Sequence, residues 1–116
     1  MKAYTDLEQS KKLAEILPRE SADSFYEAQI NAFAKEWSNE EVIVPAWSLA
    51  ALRSCLPSGI NIDGILYVFE SHNTFDNMWV YEYKFEDISA PLYSKSSNEI
   101  DACYEMILKL KELNLL

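Results

Sequence analysis

His72 is the only histidine in the chain, and together with Glu70 and Asp76 it offers the first set of side chains that could do chemistry. One imidazole and two carboxylates are the minimal ligands of an iron or magnesium site, and the imidazole could instead be the general base of a hydrolase. Their spacing matches no standard ligand pattern, and a polar loop histidine is more often simply solvated. The sequence therefore predicts no metal and no other cofactor.

The two cysteines, Cys55 and Cys103, both fall on apolar faces of predicted helices. A nucleophilic cysteine needs a base that lowers its pKa, and neither has one nearby in the sequence, so we expect both to pack as small hydrophobic residues without a disulfide. Asp63 could be a catalytic carboxylate, but its position just before Gly64 is more typical of a turn. With two glycines in all, the phosphate-binding loops of nucleotide-dependent enzymes are also absent. We therefore expect no enzyme.

Aromatic side chains recur at every second position of two predicted strands, near Ile65 to Glu70 and Met78 to Phe85, which form a β-hairpin. Those that share one face are Tyr67, Phe69, Trp79, Tyr81 and Tyr83. If this face is exposed, its tyrosines and tryptophan suit a protein interface or a ligand cleft. If helices cover it, the same residues are the core. The opposite face also carries apolar groups and needs a cover or a partner.

The net charge of the chain limits the classes of partner that it is expected to bind. Nineteen acidic residues against ten basic ones give a formal net charge of −9. Such a surface repels nucleic acids and anionic membranes, so the acidity is interpreted as a solubility feature, with mimicry of a nucleic acid as the remote alternative. No apolar run reaches the roughly 18 residues of a membrane helix, and the polar N-terminus lacks a signal-peptide core. We expect one cytoplasmic domain over residues 1–116.

Three amphipathic helices are predicted to position these side chains. They run from Thr5 to about Leu17, from Pro45 to Pro57, and from Ser96 to the C-terminal leucines. Capping boxes are expected to open the first helix with Thr5 and Glu8 and the third with Ser96 and Glu99. The buried faces are predicted to carry Leu7, Leu13, Ala14, Ile16 and Leu17 in the first, Trp47, Leu49, Ala50, Leu52 and Leu56 in the second, and Ile100, Cys103, Tyr104, Ile107, Leu110 and Leu113 in the third.

The middle of the chain is harder to interpret. Ser21 to Trp37 fits both a helical stripe and a strand alternation, and a strand over Ser24 to Asn31 is favoured. A short extended run, Val42 to Val44, precedes Pro45, and Asp87 to Ser97 is interpreted as a linker. The predicted fold is α+β, with three helices packed on a small, mostly antiparallel sheet of unknown strand order.

Three segments carry a resemblance to a known family: AYTDLEQSKKLAEILP with ESAD after it, VPAWSLAALRSCLP, and IDACYEMILKLKELNLL. They resemble a family of small, uncharacterised proteins common in gut Bacteroidetes and their phages and conjugative elements. The resemblance covers about half of the chain and implies conserved helical ends around a variable middle of strands. That family has no assigned activity, so the resemblance implies no catalytic residue. It directs the search for function to the block from Phe25 to Glu41 and to the hairpin.

Three functions follow as hypotheses. The leading one is a non-enzymatic protein of a mobile element or bacterial cytoplasm that binds another protein or itself through the sheet. The second is a small-ligand-binding module that uses the aromatic hairpin, with Glu82 or Asp76 as polar anchors. The third, least favoured, is a hydrolase or metal site around His72, or an acidic nucleic-acid mimic.

Overall fold

The computed structural model describes residues 2–27 and 43–116. Its helices are α1 (Leu7–Ala14), a 3-10 turn (Arg19–Ser21), α2 (Leu49–Ser54) and α3 (Glu99–Glu112), and its strands are β1 (Ser24–Glu27), β2 (Ile43–Ala46), β3 (Gly59–Ile62), β4 (Ile65–Asn73), β5 (Trp79–Phe85) and β6 (Ile88–Ser96). The predicted α+β class is confirmed. The strands form two antiparallel sheets, however, where one was expected. α3 packs on β5 and β6, α1 packs on β2, and α2 packs on α3.

The larger sheet is a meander of four antiparallel strands in the order β3-β4-β5-β6. The predicted hairpin is its centre, with Phe69 opposite Tyr83 and Asn73 opposite Trp79. The segment interpreted as a linker is in fact the strand β6, so that prediction is wrong. Its Pro91 argues against a central strand, but β6 lies at the edge of the described sheet, where a strand tolerates a missing N–H group.

Asp63 and Gly64 form the turn between β3 and β4, as the sequence predicts. Both have a positive φ, 52° and 84°, which is the requirement of the two-residue turn that matches the twist of a β-hairpin. The Asn61 Oδ1 atom accepts a hydrogen bond from the Gly64 N–H group at 3.1 Å. The strand β3 that precedes this turn was not anticipated, because four residues are too few to show a period.

The first helix begins one residue later than predicted. Asp6 is its N-cap and forms the capping box with Gln9, whereas Thr5 is fully buried outside the helix. The Thr5 Oγ1 atom lies 2.8 Å from the Ser10 Oγ atom and accepts a hydrogen bond from the Trp47 N–H group at 3.2 Å. The helix also ends earlier, at Ala14, which is exposed, while Leu13 and Leu17 enter the core as expected. Leu7, predicted inside, is 39% exposed.

Pro45 belongs to the strand β2, and its predicted place in a first helical turn is wrong. It lies opposite Phe25 in the two-stranded sheet of β1 and β2. Ser48 is the N-cap of α2 and accepts from the Ala51 N–H group at 3.2 Å, so α2 has six residues instead of three turns. Trp47 is fully buried just before the helix, and Ala50, predicted inside, is exposed. The favoured strand at Ser24 is confirmed as far as Glu27, and its remainder lies outside the described residues.

The third helix is confirmed, with a different cap. The Asn98 Oδ1 atom accepts from the Ile100 and Asp101 N–H groups at 2.9 and 3.3 Å, so Asn98 takes the place predicted for Ser96. Its buried residues are Ile100, Ala102, Cys103, Met106, Ile107 and Leu110. Leu113, predicted inside, is 50% exposed because the helix ends there. None of the described helices is long and apolar enough to cross a membrane.

The backbone conformation of Glu86, in the turn between β5 and β6, predicts that a glycine there stabilises the fold. Glu86 has a φ of 54°, a left-handed conformation that costs a residue with a Cβ atom about 1–2 kcal/mol. We expect Glu86→Gly to raise the free energy of unfolding by up to about 1 kcal/mol in urea titrations, after the entropy of the added glycine is subtracted. Glu86→Gln controls for the lost charge and should leave stability unchanged. A lower stability of Glu86→Gly would contradict the strain at this position.

Asp23 generates a prediction about pH. Its carboxylate accepts from the Ser48 N–H group at 2.8 Å and from the Ser48 hydroxyl group. Partial burial raises its pKa, but the two hydrogen bonds lower it more, and the net pKa is below the usual value. This stabilisation is therefore complete above the unfolded pKa of about 3.9 and is lost as the pH falls through the folded pKa. We expect Asp23→Asn to be less stable than the native chain at pH 7, with a gap that narrows below about pH 4. A gap that is the same at pH 3 and pH 7 in urea titrations would refute this.

Candidate functional site

The aromatic residues of the hairpin lie on the core side of the four-stranded sheet. Tyr81 and Tyr83 are fully buried, while Tyr67, Phe69 and Trp79 are partly buried and pack against the core. Of the two interpretations that the sequence left open, the burial favours the core. The prediction of an exposed aromatic binding face is therefore corrected for Tyr81 and Tyr83, whose rings present no surface to a partner.

Phe69 lies between the two tyrosines. Its ring centroid is 5.3 Å from that of Tyr81, edge to face, and 5.5 Å from that of Tyr83. The Tyr83 hydroxyl donates to the Pro57 carbonyl at 2.8 Å, and the Tyr81 hydroxyl donates to the Glu99 Oε2 atom at 2.6 Å. Burial is the main cause that raises the pKa of both phenols, so both remain neutral hydrogen-bond donors.

Glu99 and Arg53 complete a cluster that the sequence did not reveal. The Arg53 Nη1 atom lies 3.0 Å from the Glu99 Oε2 atom, and its guanidinium carbon lies 5.8 Å from the Tyr81 ring centroid and 6.0 Å from that of Phe69. The second nitrogen, Nη2, donates to the Ser71 Oγ atom at 3.4 Å. Forty-six positions separate Arg53 from Glu99, so no local pattern links them. The cluster connects α2 and α3 to both strands of the hairpin, and its role is therefore structural.

His72 is exposed on β4, opposite Val80. Glu70 lies on the same face, two residues before His72. Asp76 lies in the turn, where it accepts from the Thr74 hydroxyl group and is 4.0 Å from the Lys95 Nζ atom. Across the described residues, no three His, Cys, Asp or Glu side chains are grouped so that they could hold a metal ion. The geometry therefore gives the hydrolase and metal hypotheses no support.

The two cysteines differ in their surroundings. Cys103 is fully buried, and burial raises the pKa of its thiol to about 12, so it is inert core as predicted. Cys55 is only half-buried, at the C-cap of α2, where its thiol donates to the Ala51 carbonyl at 3.3 Å.

The side of the four-stranded sheet that points away from α3 is called here the outer face. The strand registers assign to it Asn61, Leu66, Val68, Glu70, His72, Val80, Glu82, Lys84, Tyr93 and Lys95. Val80 and Glu82 are buried within it. Leu66, Val68 and Tyr93 are 56%, 52% and 45% exposed, so the face keeps a substantial apolar surface in contact with solvent.

The charges of the outer face compensate one another. The Lys84 Nζ atom lies 3.4 Å from the Glu82 carboxylate and 3.9 Å from that of Glu70. With Lys95, the described residues of the face include two carboxylates and two ammonium groups, whereas the whole chain has a net charge of −9. Counted over its described residues, the outer face is thus locally neutral and partly apolar on a strongly acidic molecule.

The sequence reveals part of this surface. Leu66 and Val68 alternate with Tyr67 and Phe69, which is the pattern that predicted a second apolar face in need of a cover. Tyr93 was missed because its segment contains Pro91 and was interpreted as a linker. Only the pairing of Tyr93 with Glu82 in β5 places it on the same face as Leu66 and Val68, two strands away from them.

The Arg53–Glu99–Tyr81 cluster can be tested by a double-mutant cycle. Tyr81→Phe removes the donor to Glu99 and should lower the free energy of unfolding by about 1 kcal/mol. Because Tyr81 and Arg53 share the same carboxylate oxygen, Tyr81→Phe and Arg53→Met should show a coupling energy above about 0.5 kcal/mol in urea titrations. Tyr83→Phe is the matched control, since its hydroxyl binds Pro57 and its coupling with Arg53→Met should be near zero. Equal coupling in both cycles would show that the cluster does not act as a unit.

Comparison of the chain with models of known protein families, with curated proteins and with solved structures found no match. The resemblance to the Bacteroidetes family therefore stays a prediction. Functional inference rests on the contacts, charges and exposure of this chain alone.

Proposed function

We propose that this chain is a non-enzymatic protein that associates with a second copy of itself through the outer face. The observation that carries the proposal is that Leu66, Val68 and Tyr93 are all about half exposed on one side of the four-stranded sheet. Leu66 and Val68 are neighbours on β4, and Tyr93 lies on β6, on the far side of Glu82 in β5. Neighbouring apolar side chains that stay exposed on a sheet face often mark an interaction site. The opposite side of the same sheet is already occupied by α3.

The distribution of charge favours a second copy over a basic partner. A basic protein would be attracted to the acidic remainder of the surface. The outer face, whose described residues include two charges of each sign, gives such a protein no electrostatic advantage. Two copies of a chain with a net charge of −9 repel each other most weakly where that charge is locally cancelled. Glu70 and Lys84 also lie at different positions on the face, so a two-fold axis could bring unlike charges together.

The size of the outer face determines how tightly two copies of the chain are expected to bind. Four strands about 4.8 Å apart and about seven residues long cover at most roughly 400 Å² in projection, which is below the about 800 Å² per partner of a typical stable complex. The accessible part is smaller, because Val80 and Glu82 on this face are buried. We therefore expect a dimer that forms reversibly at micromolar to millimolar concentration. Raising the salt concentration should strengthen it, because salt screens the repulsion between the acidic surfaces.

Sedimentation equilibrium over a concentration series tests the proposal, with Val68→Glu as the disruptive variant. Val68 pairs with Lys84, so the new carboxylate has a partner within the monomer while it introduces a charge into the proposed interface. We expect the dimer dissociation constant to rise at least about tenfold, which is about 1.4 kcal/mol.

Phe75→Glu is the matched control. Phe75 is fully exposed in the turn between β4 and β5, so the substitution makes the same change of charge and removes an apolar group away from the outer face. Its dissociation constant should remain within about twofold of the native value. A native chain that stays monomeric up to about 1 mM, or a dimer that Val68→Glu leaves intact, would refute the proposal.

A further inference from the structure

A second surface feature lies among the helix ends and shares no residue with the outer face. The end of α1, the end of α2 and the segment after α3 enclose an open groove with a volume of about 530 Å³. This volume is within the range of about 300–1,000 Å³ that is usual for small-molecule sites. Its apolar walls include Leu17, Leu56, Leu115 and Leu116, and the half-buried thiol of Cys55 also lines it.

The polar side chains of the groove are few and mostly occupied. The Ser21 hydroxyl donates to the Pro18 carbonyl and accepts from the Trp47 Nε1 atom at 2.9 Å. The Ser54 hydroxyl donates to the Ala51 carbonyl at 2.7 Å. Lys111 is the one charged side chain among the described residues of the lining. It is exposed, and no ion pair to another described residue is present. Within residues 2–27 and 43–116, no aspartate or glutamate side chain lines the groove.

The wall formed by Leu115 is held in place by the end of α3. Asn114 has a φ of 55°, its N–H group donates to the Lys111 carbonyl at 3.1 Å, and the Leu115 N–H group donates to the Leu110 carbonyl at 2.8 Å. This is a Schellman motif, which turns the chain back and places the side chain after the turn against the helix it leaves. The groove is thus built by a defined backbone structure at one of its walls.

We propose that this groove binds an amphipathic anion, an alkyl chain that ends in a carboxylate. The alkyl chain lies along the leucines, and the carboxylate pairs with the Lys111 ammonium group at the rim. The lining selects this class: the leucines accept an alkyl chain, Lys111 is a described side chain that can pair with a negatively charged end group, and a short anion would leave the apolar walls in water. The proposal is independent of self-association through the outer face.

Alkylation of Cys55 by iodoacetamide tests the site in the native chain. Cys55 lines the groove, whereas Cys103 is fully buried with a raised pKa and serves as the unreactive internal reference. Decanoate, kept below its critical micelle concentration, should slow the modification of Cys55 in a saturable manner. Acetate should not, since it has the charge without the chain. Alkylation that is unaffected by decanoate would overturn the proposal.

Two further probes distinguish the contribution of the ligand's charge to binding from that of its alkyl chain. Decanol has the same chain without the charge and should protect Cys55 less well than decanoate, and decyltrimethylammonium should protect it least. The Lys111→Glu variant should weaken decanoate binding about fivefold, the upper end for an exposed ion pair, with little effect on decanol. Lys12→Glu, an exposed position on α1 with the same change of net charge, should leave both affinities unchanged.

Equal protection by decanoate and decanol would overturn the anionic part of the proposal, as would equal losses in Lys111→Glu and Lys12→Glu. Cys55→Phe, which fills the groove, should abolish binding of both ligands when followed by calorimetry. If that variant does not fold, Leu116→Asp at the exposed side of the groove should weaken both ligands instead. Undiminished binding in the folded variant would place the ligand elsewhere and refute the assignment.

Discussion

Tyr81 and Tyr83 carry hydroxyl groups into the core, and a buried hydroxyl without a partner costs about 1–3 kcal/mol. The two phenols can be satisfied only if particular groups reach them from outside the sheet. Pro57 reaches Tyr83 with its carbonyl as the chain leaves α2, and Glu99 reaches Tyr81 from the first turn of α3. The positions of two helices relative to the sheet are therefore constrained by directional bonds as well as by apolar contact. Ser94 adds a third such bond, from β6 to the Ala102 carbonyl in α3.

The N-terminal part of the fold follows the same principle with smaller side chains. Thr5 is buried, and its N–H group donates to the Trp47 carbonyl at 2.9 Å. Its Oγ1 atom accepts from the Trp47 N–H group and also forms a hydrogen bond with the Ser10 hydroxyl group. Asp23 holds the N-cap of α2 through Ser48. Because these bonds cross from one segment to another, they orient α1, the two-stranded sheet and α2 around Trp47. The helices are short, at eight and six residues, and such helices depend on tertiary contacts for their stability.

Sequence reasoning succeeded where one strong local pattern acted alone. The alternation of Tyr67, Phe69, Trp79 and Tyr81 predicted the hairpin, and the three- and four-residue steps of the last helix predicted α3. It failed where two local rules competed and a distant residue decided. Both Thr5 and Asp6 could begin a capping box from the sequence alone. Because the Thr5 hydroxyl accepts a hydrogen bond from the Trp47 N–H group, Asp6 is the residue that caps the helix. Pro45 is compatible with both the first turn of a helix and an edge strand. It lies in a strand because it pairs with Phe25. The outer face could be half predicted, through Leu66 and Val68, whereas Arg53, Glu99 and the groove depend on long-range packing.

The edge strand β6 has a consequence for how copies of this chain can meet. A sheet edge normally offers a row of free N–H and C=O groups onto which another strand can add without limit. On β6, Pro91 removes one donor, and the Lys109 ammonium group occupies the Tyr93 carbonyl. Addition of strands at this edge is thereby obstructed, which disfavours growth into fibrils. Contact through the flat side of a sheet, by contrast, is complete once two copies have met, so such an assembly is finite in size.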